Sequence, residues 1–227
     1  MVRASVLAFL VDAAAGIPLD RDPAVWTLTT DLSLRMRPRP APGRIDARHT
    51  IVRQGRRSAT CTVELTGDRG EPVGTGAIGF ATVVRRDTDP PKPQFTLAEA
   101  VELFRGQPSL SRPLRQEAGV EVIDAAAGVV QVELTDDLRN PAGTLQGAMV
   151  ALVAESAVEE LIGARSSSPM IVTDLDVRYL ERTHLGPVRT RSRLLGDGPG
   201  SAVQVELIDL STDRTTTLVY ARAVPVP

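Results

Sequence analysis

Set against itself with an offset of 143 positions, the chain aligns Leu10-Val11-Asp12-Ala13-Ala14 with Val153-Ala154-Glu155-Ser156-Ala157. The same offset aligns Thr30-Asp31-Leu32-Ser33-Leu34-Arg35 with Thr173-Asp174-Leu175-Asp176-Val177-Arg178, and Gly43 with Gly186. One residue is then lost, and Thr62-Val63-Glu64-Leu65 meets Gln204-Val205-Glu206-Leu207. An uninterrupted match this long is more than chance supplies, and a repeat must be settled before any other reading of the fold. With 227 residues, the two copies can each bury a core.

Both copies read alike. An apolar helix (about residues 4–16, and 147–163) leads through a Pro- or Ser-rich connection, with Pro18 and Pro23 or Pro169, into strands of alternating or apolar character. The strands fall at about 26–36, 43–54, 57–66 and 74–84 in copy one. In copy two they fall at about 171–180, 186–195, 201–209 and 215–224, with glycine-rich hairpin turns at 67–70 and 196–200. Residues 85–93 are polar and Pro-rich and read as a linker, after which Thr96-Leu97-Ala98-Glu99 forms a capping box for a short helix to about Phe104. Two further strands (119–124 and 128–136) precede the second helix only. The domain expectation is therefore 1–86 for the first repeat, 87–116 for the linker and 117–227 for the second repeat. Copy one begins almost inside its helix, with Arg3 where copy two has Gln146, and has no glycine loop. Either that part is lost or the true start lies upstream of Met1; a sheet edge left bare by a missing strand favours the second.

A net charge of −2 argues against a nucleic-acid partner, because tracking phosphates needs clustered, unbalanced cations. The apolar start of the chain is interrupted by Asp12 before any cleavage position, and no stretch approaches the ~20 apolar residues of a membrane span. A soluble, cytoplasmic protein is expected. Cys61 is the sole cysteine, which leaves no disulfide framework and no thiolate metal cluster; His49 and His184 read as structural or surface residues.

The chemistry concentrates in residues 140–155, Asn-Pro-Ala-Gly-Thr-Leu-Gln-Gly-Ala-Met-Val-Ala-Leu-Val-Ala-Glu. A Gly/Pro loop feeds a helix whose first N–H groups can meet an oxygen gaining negative charge. Glu155 lies two turns on, where a carboxylate loses water unless something uses it. This stretch resembles the Asn-x-x-Gly-x-x-His-Gly-Gly loop and helix of hotdog-fold acyl-CoA thioesterases of the phenylacetate-pathway type. Asn140, Gly143 and Gly147 match; Gln146 stands in place of His and Ala148 in place of the last Gly. With the repeat, the resemblance implies an α+β tandem (double) hotdog, each repeat a long central helix wrapped by a curled antiparallel sheet, packed as an internal pseudo-dimer and open to further homo-oligomerisation.

Gly147 and Glu155 are eight residues apart, ~12 Å along a helix, too far for both to touch one carbonyl. A site must therefore join the loop of one copy to the acid of the other. The complete set is Asn140, Gln146 and Gly147 with Asp12 and Thr30; the mirror set has Glu155 and Thr173 but no loop. The resemblance implies that the Gly147 N–H binds the carbonyl oxygen, Asp12 acts as base or nucleophile, Thr30 orients water or carboxylate, and Asn140 holds water or thioester. Gln146 and Gly143 would contact substrate, and strand-end arginines (Arg35, Arg37, Arg39, Arg178, Arg182) could receive a coenzyme A phosphate. The implied substrate is an acyl-CoA or acyl-carrier thioester, hydrolysed in fatty-acid metabolism with no metal or redox cofactor. Two rivals remain: a non-catalytic acyl-thioester binder, and a hotdog dehydratase or hydratase.

Overall fold

The computed structural model describes residues 1–38, 43–94, 96–105, 110–196 and 200–226. Ten antiparallel strands form one sheet in the order β2-β3-β4-β1-β7-β10-β9-β8-β6-β5. Helix α1 (Ala4–Leu19) precedes β1 (Val25–Met36), β2 (Ile45–Gln54), β3 (Ser58–Gly67) and β4 (Pro72–Val84). After α2 (Leu97–Arg105) and α3 (Leu114–Glu117) come β5 (Glu121–Asp124) and β6 (Val129–Val132). Helix α4 (Gly147–Gly163) then leads into β7 (Met170–Tyr179), β8 (Val188–Leu195), β9 (Ala202–Asp209) and β10 (Arg214–Pro225).

The register at the middle of the sheet carries the offset seen in the sequence. Strands β1 and β7 pair antiparallel with Ser33 opposite Asp176, its own counterpart 143 positions on. Leu32 faces Val177 and Leu34 faces Leu175, so each contact recurs with the partners exchanged, as across a two-fold interface. The register is also the same within the two halves: Ile45 meets Gly67 across β2 and β3, and Val188 meets Asp209 across β8 and β9.

Both helices cover the sheet. The face of α1 formed by Ala4, Leu7, Ala8, Val11 and Ala15 is buried, the three-to-four spacing of one helical stripe. It packs on β1 to β4, α4 packs on β6 to β10, and the two helices touch each other. The inward residues of β1 and β7, among them Leu32, Leu34, Leu175 and Val177, join both helices in one continuous core. Alternate residues on the outer face hold charges: Arg35 pairs with Asp174 at 3.3 Å and with Asp176 at 2.9 Å.

Two boundaries differ from the sequence reading. Helix α1 runs past Pro18 to Leu19, because proline in a last turn removes only one late N–H and the Asp20 N–H still closes on Gly16 O at 3.0 Å. Strand β6 stops at Val132, since its neighbour β8 offers partners only from Val188 onward. The capping box stands, with the Thr96 N–H on Glu99 Oε2 at 2.6 Å and the Glu99 N–H on Thr96 Oγ1 at 3.2 Å. The hairpin at 196–200 and Arg39 fall partly or wholly outside the described residues.

The linker is strapped to the first half by the protein's sole lysine. Lys92 Nζ donates to Asp20 Oδ1 at 2.7 Å and to the carbonyls of Asp22 and Val25 at 2.8 Å each, which uses all three of its protons. The Trp26 ring lies 5.5 Å from the ammonium and 5.2 Å from the Arg85 guanidinium, and its Nε1–H donates to Asp89 at 3.1 Å.

Candidate active site

The loop before α4 is tied by its own first residue. Asn140 Oδ1 accepts from the Ala142 N–H at 3.0 Å and from the N–H and hydroxyl of Thr144 at 3.1 Å each. Gly143 takes φ +77°, a conformation that costs other residues strain, and its N–H returns to Asn140 O at 2.9 Å. Gln146 then caps the helix: Oε1 accepts from the Ala148 N–H at 2.6 Å and the Met149 N–H at 3.1 Å. The oxygens of Asn140 and Gln146 are thus committed to loop and cap, leaving their amide nitrogens for a ligand. The Gly147 N–H has no hydrogen-bond partner among the described residues and lies at the positive end of the helix.

Asp12 comes to meet it from α1. A Cβ built on Gly147 would lie 3.2 Å from the Tyr179 hydroxyl and 3.8 Å from Asp12 Oδ2, so a side chain at 147 would press on Tyr179 and touch Asp12. Tyr179 donates to Gly147 O at 3.1 Å. Asp12 Oδ1 accepts from the Thr29 hydroxyl at 2.7 Å. Burial pushes the Asp12 carboxyl above the ordinary carboxylate range, and the Thr29 hydrogen bond offsets this in part. Asp12 is half-buried, and the surface it keeps faces the cleft that the site lines. The charge of Asp12, after burial itself, also raises the Tyr179 phenol.

These groups share one cavity of about 1160 Å³. Its apolar wall includes Phe9, Ala13 and Ile17 of α1, Trp26 and Leu28 of β1, and Phe80 of β4; Arg21, Arg139 and Arg182 also border it. Asp12, Thr29, Asn140, Gln146, Gly147 and Tyr179 all line it, and neither His49 nor His184 does. Among the described residues no group of three or more His, Cys, Asp or Glu side chains is placed to hold a metal.

The structure places five expected residues elsewhere. Thr30 reaches the cavity rim, but its side chain is exposed and its hydroxyl bonds Asp31 at 2.9 Å. The cause is a bulge: Thr29 pairs with Phe80 and Asp31 with Gly79, so Thr30 is skipped and the alternation changes parity, turning Thr29 inward. Thr173 is the matching bulge residue between the pairs of Arg222 and Ala223, and it bonds Asp174 at 2.8 Å. Glu155 is fully buried away from the cavity, on the N-terminus of α1 and against Arg3 at 3.2 Å. Arg35 and Arg178 lie on the outer face of the sheet, Arg35 held by Asp174 and Asp176.

Two residues at the site were not foreseen. Thr29 was hidden because its repeat counterpart is Val172, which cannot signal a hydroxyl. Tyr179 was hidden in the same way behind Met36; its one signal is that a phenol in an otherwise inward strand needs a hydrogen-bond partner.

The fold recurs in known structures. The fold matches a protein provisionally described as an oleoyl thioesterase from Lactobacillus plantarum (TM-score 0.63, 13% identity, 98% of this chain and 86% of that one). It also matches the tesB protein of Mycobacterium avium subspecies paratuberculosis (TM-score 0.62, 13% identity, 100% and 88%). A third match is an acyl-ACP thioesterase from Bacteroides thetaiotaomicron (TM-score 0.57, 11% identity, 93% and 82%). The fold is that of the hotdog thioesterases. No family profile and no curated protein sequence matches the chain. No helix among the described residues is long and apolar enough to cross a membrane.

Proposed function

We propose that this chain is an acyl-CoA thioesterase built from two hotdog modules, residues 1–86 and 117–227, joined by residues 87–116 and sharing one complete active site. The observation that carries the proposal is the approach of Asp12, from the first module, to the unpartnered start of the second module's helix at Gly147, inside a cavity large enough for an acyl group.

The reaction follows from the groups present. The thioester carbonyl oxygen sits on the Gly147 N–H, where the helix terminus stabilises the charge that develops on it. Asp12, oriented by Thr29, takes a proton from water, and the resulting hydroxide bonds to the carbonyl carbon. The tetrahedral intermediate collapses with cleavage of the C–S bond, and the leaving thiolate receives the proton from Asp12. The raised proton affinity of Asp12 suits a group that must take a proton and then release it. The chemistry uses side chains, one backbone N–H and water.

Thiol release from acyl-CoA substrates of graded chain length tests the proposal. Wild-type turnover and a loss of roughly 10²–10⁴-fold in Asp12→Asn would support it; equal rates in the two proteins would sink it. A second reading, an acyl-thioester-binding protein without catalysis, draws on Gln146: an amide cannot shuttle a proton as imidazole does, and its oxygen is already spent on the helix cap. Tight acyl-CoA binding with no thiol released over hours would decide for that reading.

A further inference from the structure

The two long helices begin in the same way but carry different loads. At α1 the first N–H belongs to Ala4, and it donates to Glu155 Oε1 at 2.8 Å. Ser5 adds its N–H at 3.3 Å and its hydroxyl at 2.5 Å to Glu155 Oε2, and Arg3 adds Nε at 3.2 Å. A carboxylate oxygen therefore sits where the helix terminus favours negative charge, wholly shielded from water.

The same offset that relates Ala4 to Gly147 relates Glu155 to Asp12. At α4 the corresponding N–H is that of Gly147, and the corresponding acid has one methylene fewer. Asp12 makes no hydrogen bond to it: Oδ1 is held by Thr29, and Oδ2 lies 3.8 Å from where a Cβ on Gly147 would stand. The next two N–H groups are taken by Gln146. What remains is one unpartnered donor, an acid beside it, and a cavity opening onto both.

We propose that Glu155 fills, from within the chain, the position that a substrate oxygen takes at Gly147, and that the shorter side chain of Asp12 is what keeps the second helix start open for that oxygen. The inference rests on the thioesterase reading and adds to it a reason why aspartate rather than glutamate serves at position 12. A glutamate there would span the gap and cap Gly147 as Glu155 caps Ala4, closing the site with the protein's own carboxylate.

The test compares Asp12→Glu with Asp12→Asn in the full chain, using a non-hydrolysable thioether analogue of acyl-CoA and the amide proton of Gly147. Expected in Asp12→Glu is a Gly147 amide signal moved downfield and protected from exchange, with analogue affinity at least about tenfold below that of Asp12→Asn. Asp12→Asn should keep the analogue and leave the amide as in the wild type. Equal analogue affinity in the two variants, or an unprotected Gly147 amide in Asp12→Glu, would overturn the inference. If the wild type cleaves no acyl-CoA, the thioesterase reading fails; the amide of Asp12→Glu still reports separately whether the longer acid closes the helix start.

Discussion

A carboxyl group partly withdrawn from water and held by one threonine hydroxyl keeps its proton to higher pH than one in water, and for Asp12 that sets two expectations. Its native pKa is raised above the unfolded value. The stability it contributes is therefore fully present below the ordinary carboxylate range and is lost as pH rises through the raised value. Asp12→Asn should accordingly be more stable than the wild type at pH 8 and about equal to it near pH 4, as measured by urea unfolding at the two pH values. The acid limb of kcat/KM should likewise lie above the ordinary carboxylate range, and Thr29→Val should move it higher still by removing the bond that favours the charged form. Turnover in Thr29→Val should fall by about tenfold, while Thr30→Val should stay within about twofold of the wild type. The sequence pointed to Asp12 and Gly147 because their chemistry survives in the pattern of residue types. It pointed to Thr30 because a bulge cannot be seen in an alternation that looks regular on both sides of it.

At the scale of the element, the repeat made both long helices and eight strands legible, since each pattern appears twice and each copy supports the other. What it obscured was divergence between the copies. Glu155 and Asp12 align as acids of mirror-related sets, yet one side chain closes a helix start and the other borders a cavity. Removing Glu155 leaves the Ala4 and Ser5 donors and the Arg3 cation without their buried partner. Glu155→Ala should therefore cost about 3–5 kcal/mol, read from the urea midpoint at constant slope. A similarly buried apolar position on the same helix, Leu152→Ala, should cost about 2–5 kcal/mol through the cavity it opens, without changing the exchange of the α1 amides.

For the whole molecule the decisive join is the pairing of β1 with β7, which makes one sheet of what the sequence reads as two modules. Residues 1–86 expressed alone would bare the inner edge of β1 and leave the start of α1 without Glu155. They should self-associate or precipitate, and mixing with residues 117–227 should recover a complex by size-exclusion chromatography; a stable, monomeric 1–86 fragment would show that the modules do not depend on the seam. The composite site we propose depends on the same join, and in the sequence it rests on the eight-residue separation of Gly147 and Glu155. The strap held by Lys92 has a practical corollary. Because the chain's single ε-amine is buried and saturated with acceptors, reagents that acylate amines can reach it only when that segment lifts, so the rate of its labelling is a native clock for opening of the wall beside Trp26.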